Sequence, residues 1–326
     1  MTDMMNNETV ADYRDNAVTY AAIDIGSNAV RLLIKQLEDD HQPRFSKVLL
    51  LRVPLRLGFD VFSNGGSISE RRRKDLVRLM KSYKQLMKIY NVSDYRACAT
   101  SAMRDAANGQ DIIREVRKKT GIEIEIIDGQ QEARMIYNNR IESMRGRRGN
   151  FMYVDVGGGS TEINLMADGE LICSKSYNIG TVRMLNEAVT DGEWRRLRSD
   201  MEDLAASYPG ISIVGSGGNI NKLVKMVKGR DKRYPKMTVA SLRELYDTLK
   251  PLSVKERIET FDLKPDRADV IVPAAEIFLT IADILGSATI YVPVIGLADG
   301  IIDDLYCRSL ERKRFQEHIS RVDMNL

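Results

Sequence analysis

Two stretches of this chain place carboxylates beside glycine-rich turns, an arrangement suited to phosphate chemistry. In Asp155-Val156-Gly157-Gly158-Gly159-Ser160-Thr161-Glu162, preceded by the apolar run Phe151-Met152-Tyr153-Val154, a buried strand should end in a tight turn. The glycines remove side chains, so backbone N–H groups can approach an anion. Asp155 and Glu162 flank that cradle and would repel a phosphate unless a hard cation such as Mg²⁺ (or Mn²⁺) lay between them. Upstream, Thr19 to Ile23 leads into Asp24-Ile25-Gly26-Ser27-Asn28 and then a second apolar run, Val30 to Ile34. One such turn most simply closes a hairpin. Two, each opening half of the chain, indicate a duplicated domain whose loops face each other. Asp155, Glu162 and, third, Asp24 are therefore the metal candidates, although Asp24 read alone could equally cap its turn. Ser27, Asn28, Gly157, Gly158, Gly159, Ser160 and Thr161 are the phosphate-binding candidates.

The elements that must hold these turns follow from periodicity. Strands are expected at Thr19–Ile25, Val30–Leu37 and Arg44–Leu51, then a helix capped by Ser69 with apolar residues at helical spacing from Leu76 to Tyr90. A strand at Tyr95–Thr100, a helix ending at Gly121, a strand at Ile122–Ile127 and a helix from Gln130 to Met144 complete the half. The second half repeats the pattern, with strands at Phe151–Val156, Thr161–Met166 and Gly169–Tyr177. A third glycine turn, Gly215-Ser216-Gly217-Gly218, opens a helix. Pro273 should kink or split a helix from Pro265 to Leu285, and a closing helix runs from Gly300 to Glu317. Two α/β domains with a cleft between them result.

The totals exclude several classes. The chain has 326 residues, 43% hydrophobic and 29% charged, enough for two cores in an ordinary globular protein. A net charge of +3 does not argue for nucleic acid. Three widely spaced cysteines suggest neither disulfides nor zinc. Residues 1–18 lack the apolar core of a signal peptide, and no run is long enough to span a membrane, so a cytoplasmic protein is expected.

In combination, Ala21 to Asn28, Ala99 to Arg104, Ile127 to Arg134, Asp155 to Glu162 and Leu263 to Pro273 resemble the exopolyphosphatase / guanosine pentaphosphatase family of the actin–Hsp70–sugar kinase superfamily. The likeness runs from about Tyr20 to Leu305, in the short two-domain form. It implies two duplicated ribonuclease H-like (actin-like ATPase) domains, each a mixed five-stranded sheet with flanking helices. The expected division is a flexible extension over 1–18, domain I over 19–135, domain II over 136–300, and a C-terminal helix over 301–326 packing back on domain I. The resemblance also implies Mg²⁺-dependent hydrolysis of the terminal phosphate of polyphosphate or of the 5′-γ-phosphate of guanosine pentaphosphate. It makes Glu132 the catalytic glutamate and Arg104 a phosphate ligand. The residues alone leave Glu132 equally well explained by the positive end of its helix.

An exopolyphosphatase is the leading reading, with guanosine pentaphosphate hydrolysis on the same site second. A nucleotide-binding switch of the actin or chaperone type, and a silent sensor of polyphosphate or guanosine tetraphosphate, are readings of other classes. The basic stretch Lys222, Lys225, Lys228, Arg230, Lys232, Arg233 and Lys236 is either a solvated face or a track for a polyanion. A homodimer through the closing helix is one further assembly open to the chain.

Overall fold

The structure, a computed structural model, describes residues 18–39, 44–63, 65–138, 148–227, 235–293 and 296–323, the last with side chains to 312. The expected N-terminal extension lies outside it apart from Val18. So do residues 228–234 of the basic stretch and the linking helix beyond 138.

Strands β1 (Thr19–Ile25), β2 (Val30–Asp39) and β3 (Arg44–Val53) form an antiparallel meander. All seven residues of β1 are buried, so the strand reads as a continuous apolar run rather than an alternation. Next come α1 (Gly58–Val61) and α2 (Glu70–Ile89), whose expected cap Ser69 accepts the Arg72 N–H. Strands β4 (Asp94–Ala99) and β5 (Ile124–Ile126) join parallel to β1. Between them lie α3 (Ser101–Asp105) and α4 (Gly109–Thr120), the latter closed by left-handed Gly121. Helix α5 (Gly129–Asn138) then leads to the second lobe.

There β6 (Asn150–Val156), β7 (Thr161–Ala167) and β8 (Glu170–Tyr177) make the second meander, followed by α6 (Thr181–Leu185) and α7 (Asp191–Ser207). The chain continues through β9 (Ser212–Ser216), α8 (Gly218–Met226), β10 (Lys236–Thr238), α9 (Val239–Leu249) and α10 (Val254–Phe261). It ends with α11 (Pro265–Ala268), α12 (Ile271–Leu285), β11 (Thr289–Tyr291) and α13 (Leu297–Asp323).

The first sheet has the order β3-β2-β1-β4-β5, and the second, taken the same way, β8-β7-β6-β9-β11-β10. Five positions correspond strand for strand, so the duplication extends from the two turns to the whole topology. The expected five-stranded second sheet gains a sixth member, β10, antiparallel to β11. Three residues are too few to show a period, and β10 left no signal in the sequence.

The break expected near Pro273 falls at Asp269–Val270, between α11 and α12. Pro273 is the third residue of α12, where its missing N–H would have had no intrahelical acceptor. In the first sheet, α2 and α4 cover one face. On the other face, Leu297, Ile301, Ile302 and Tyr306 of α13 pack on Tyr20, Ala22 and Leu33, with Met135 and Ile136 of α5 in the same cluster. Among the described residues no helix is long and apolar enough to cross a membrane.

Candidate active site

Register lines up two corresponding rows of side chains. In the first lobe Cys98, Asp24, Arg31 and Arg52 lie opposite one another across β4, β1, β2 and β3. In the second, Ser216, Asp155, Glu162 and Ser176 do so across β9, β6, β7 and β8. Residues directly opposite share a face of the sheet. The rows differ in sign. Asp24 is paired with Arg31 at 2.5 Å, whereas Glu162, at the position matching Arg31, sets a second carboxylate beside Asp155. Asp155 accepts the Ser216 hydroxyl at 2.5 Å, and Glu162 accepts that of Ser176 at 3.0 Å. Burial, together with Asp155 and against the pull of the Ser160 hydroxyl, pushes Glu162 up to about 7.

The two turns are built alike. Gly26 N–H bonds Ala29 O at 3.1 Å, and Gly157 N–H bonds Ser160 O at 2.9 Å. They also meet. A Cβ on Gly158 would lie 3.0 Å from Ser27 Cβ, and one on Gly159 would lie 2.3 Å from Ser101 Oγ and 2.5 Å from Phe62. Glycine at these positions lets the turns close on each other, and the amides of Ser27, Asn28, Gly158 and Gly159 are not used in closing either turn.

Above the contact lies a cleft of about 290 Å³. Among the sequence candidates, Asp24, Ser27, Asn28, Glu132, Asp155, Gly157, Gly158 and Ser160 line it. Glu162 is buried beside Asp155, Thr161 donates its hydroxyl to Ile179 O, and Gly159 is pressed on the first lobe, all three outside the lining. Arg104 is outside it too, donating to Ile127 O at 2.8 Å.

Glu132 stands in the first turn of α5, 7% exposed, and its Oε2 has no partner among the described residues. Burial pushes its carboxyl well above the ordinary range; Glu162 adds to this and Arg104 opposes it. Such a group can accept a proton near neutral pH.

Three arginines also line the cleft: Arg31, Arg52 and Arg267. Arg52 is paired with Asp266, and Arg267 donates to Asn219 Oδ1. Burial, with Arg52 and Arg31 nearby, lowers Arg267 to about 9, as expected where like charges are gathered without enough anions. Arg52 escaped the sequence reading because only register brings it beside Arg31. Arg267 lay in a noted motif without a visible role; its side chain fills the space in front of Gly218, where a Cβ would lie 2.2 Å from it.

The hard oxygen donors that Asp155 and Glu162 set side by side fit a divalent metal such as Mg²⁺. Among the described residues no three His, Cys, Asp or Glu side chains form a cage. Mg²⁺ does not require one, since it ordinarily takes one or two carboxylates and keeps water.

Residues 33–308 match the model of the Ppx/GppA phosphatase family. The chain belongs to that family. Exopolyphosphatase 1 of Mycobacterium tuberculosis (strain ATCC 25618 / H37Rv) is 26% identical over 273 residues, 78% of each chain. The guanosine-5′-triphosphate,3′-diphosphate pyrophosphatase of Aeromonas hydrophila is 26% identical over 301 residues, 88% of this chain and 59% of that one. The crystal structure of the Aquifex aeolicus Ppx/GppA family member matches with a TM-score of 0.72 at 29% identity, over 90% of this chain and 99% of that one. This Ppx/GppA chain is accordingly an enzyme, a phosphatase acting on phosphoanhydride bonds.

Proposed function

We propose that the chain is an exopolyphosphatase that removes the terminal phosphate of inorganic polyphosphate with water activated by Glu132. One observation carries the reading. Three buried polar atoms of cleft residues, Glu132 Oε2, Asn28 Oδ1 and Arg52 Nε, lack partners among the described residues, and all belong to groups suited to water or phosphate. Buried polar atoms are ordinarily satisfied, so unpartnered ones around a cleft point to a polar ligand.

In this reading the terminal phosphoryl group sits between the turns, held by the amides of Ser27, Asn28 and Gly158. Asp155 and Glu162 would hold Mg²⁺, with Asp24, already neutralised by Arg31, further out through water. The metal would supply positive charge to the phosphoryl oxygens. Glu132 takes a proton from water as the water oxygen bonds to phosphorus, and the bridging P–O bond breaks with its electron pair leaving on the next phosphate. Arg31, Arg52 and Arg267, the first two shared with Asp24 and Asp266, offer donors to the phosphates beyond.

Several arginines gathered in one cleft suit a polyanion of many phosphates, which favours polyphosphate over a nucleotide. The test is orthophosphate release from long polyphosphate, short polyphosphate and guanosine pentaphosphate, with and without Mg²⁺. The expected result is Mg²⁺-dependent release with the highest kcat/KM on polyphosphate. Preference for the nucleotide would reject the substrate assignment, and release from none of them would reject the reading.

A further inference from the structure

Arg183 is a charged side chain held by three contacts near the cleft that catalysis does not use. It lies on α6 with its side chain 11% exposed. Its Nε donates to Gly159 O at 2.8 Å, inside the second phosphate turn. Its Nη2 donates to Asp105 Oδ2 of the first lobe at 2.6 Å. The guanidinium also covers the Phe62 ring, 4.1 Å from its centroid, and Phe62 is one of the groups on which Gly159 is seated.

The contacts continue on the first-lobe side. Asp105 Oδ1 lies 3.9 Å from Arg104 Nε, and Arg104 Nη1 donates to Ile127 O at 2.8 Å. Ile127 precedes Asp128, whose carbonyl accepts the Glu132 N–H at 3.0 Å. Polar contacts, with a loose 3.9 Å pair at Arg104–Asp105 and one covalent step from Ile127 to Asp128, therefore join the turn that cradles phosphate to the first turn of the helix that carries Glu132.

We propose that Arg183 and Asp105 form a positioning bridge that sets the Gly157–Ser160 turn and the Glu132 helix in register through one contact between the lobes. It rests on the reading of Glu132 and of that turn given above. Neither residue lines the cleft. The bridge acts on geometry, since displacing a reacting group by about 1 Å can lower turnover about 10²-fold. Arginine suits the task because its planar fork donates in two directions at once, to Gly159 and to Asp105, which a lysine ammonium on a flexible stem does not reproduce.

The test uses the full chain with Arg183→Lys, Asp105→Asn and the double variant. Hydrogen exchange in the unliganded protein should rise about tenfold over both 157–160 and 128–133 in each single variant. On the phosphoanhydride that wild type hydrolyses fastest, kcat should fall about 10–100-fold with KM within about twofold. The double variant should be no slower than the slower single, because both remove one bridge. Unchanged exchange over 128–133 would overturn the bridge, as would unchanged kcat or losses that multiply in the double variant. Inactive wild type would sink the functional reading alone and leave exchange to decide the bridge.

Discussion

Glu132→Gln is expected to lower kcat about 10²–10⁴-fold, roughly 3–5 kcal/mol in the barrier, while leaving KM nearly unchanged. The amide keeps the size of the side chain but cannot take a proton from water. Steady-state kinetics at saturating substrate read the loss directly, and kcat within about threefold of wild type would remove Glu132 from the mechanism. Wild type itself should lose kcat/KM as pH falls, because the base form is required. With the carboxyl raised by burial and by Glu162, that acid limb should lie above the ordinary glutamate value of about 4.3.

The same shift fixes the sign of a stability effect. A folded carboxyl with a raised pKa still holds its proton where the unfolded chain has released it. Its favourable contribution is therefore complete below the unfolded pKa and is lost as pH rises. Glutamine has no such dependence. Glu132→Gln should match wild type in Tm near pH 4 and exceed it near pH 8, so an inactive variant would also be the more stable one at neutral pH. That pairing separates lost chemistry from lost folding.

Gly180→Ala is the second large expectation, about 10²-fold in kcat from one methyl group outside the cleft lining. A Cβ there would lie 2.5 Å from Gly159 C, 2.5 Å from Ser160 N and 2.6 Å from Gly158 C. All three are backbone atoms of the phosphate turn, so no flexible side chain can swing aside. The Gly180 φ of −149° is open to any residue, which leaves steric displacement of the turn as the cause. Phosphate-release kinetics with a parallel melting curve check it. Wild-type kcat in Gly180→Ala would mean that the turn's position is not critical.

Legibility in the sequence followed the range of the interactions. The Asp24 and Asp155 turns were visible because each is local: an apolar strand, a carboxylate and small residues within eight positions. Gly121 and Ser69 were legible for the same reason, since a cap depends on its own helix end. Glu132 could be placed at a helix start, but two of the carboxylates that help raise its pKa, Glu162 and Asp155, come from the other lobe. Arg52 enters the site through strand register, and Arg267 through a meeting of α11 with the start of α8, neither of which periodicity reports. Arg104 had the chemistry of a phosphate ligand, yet its guanidinium is turned to Ile127 O. A residue type states what a group can bind, and only packing states where it is aimed.

Water beside Glu132 attacks the terminal phosphorus in the proposed reaction, and hydrolysis of long polyphosphate in ¹⁸O-labelled water follows that oxygen. One ¹⁸O is expected in each released orthophosphate and none in the shortened chain. Label appearing in the shortened chain, or orthophosphate released unlabelled, would contradict it.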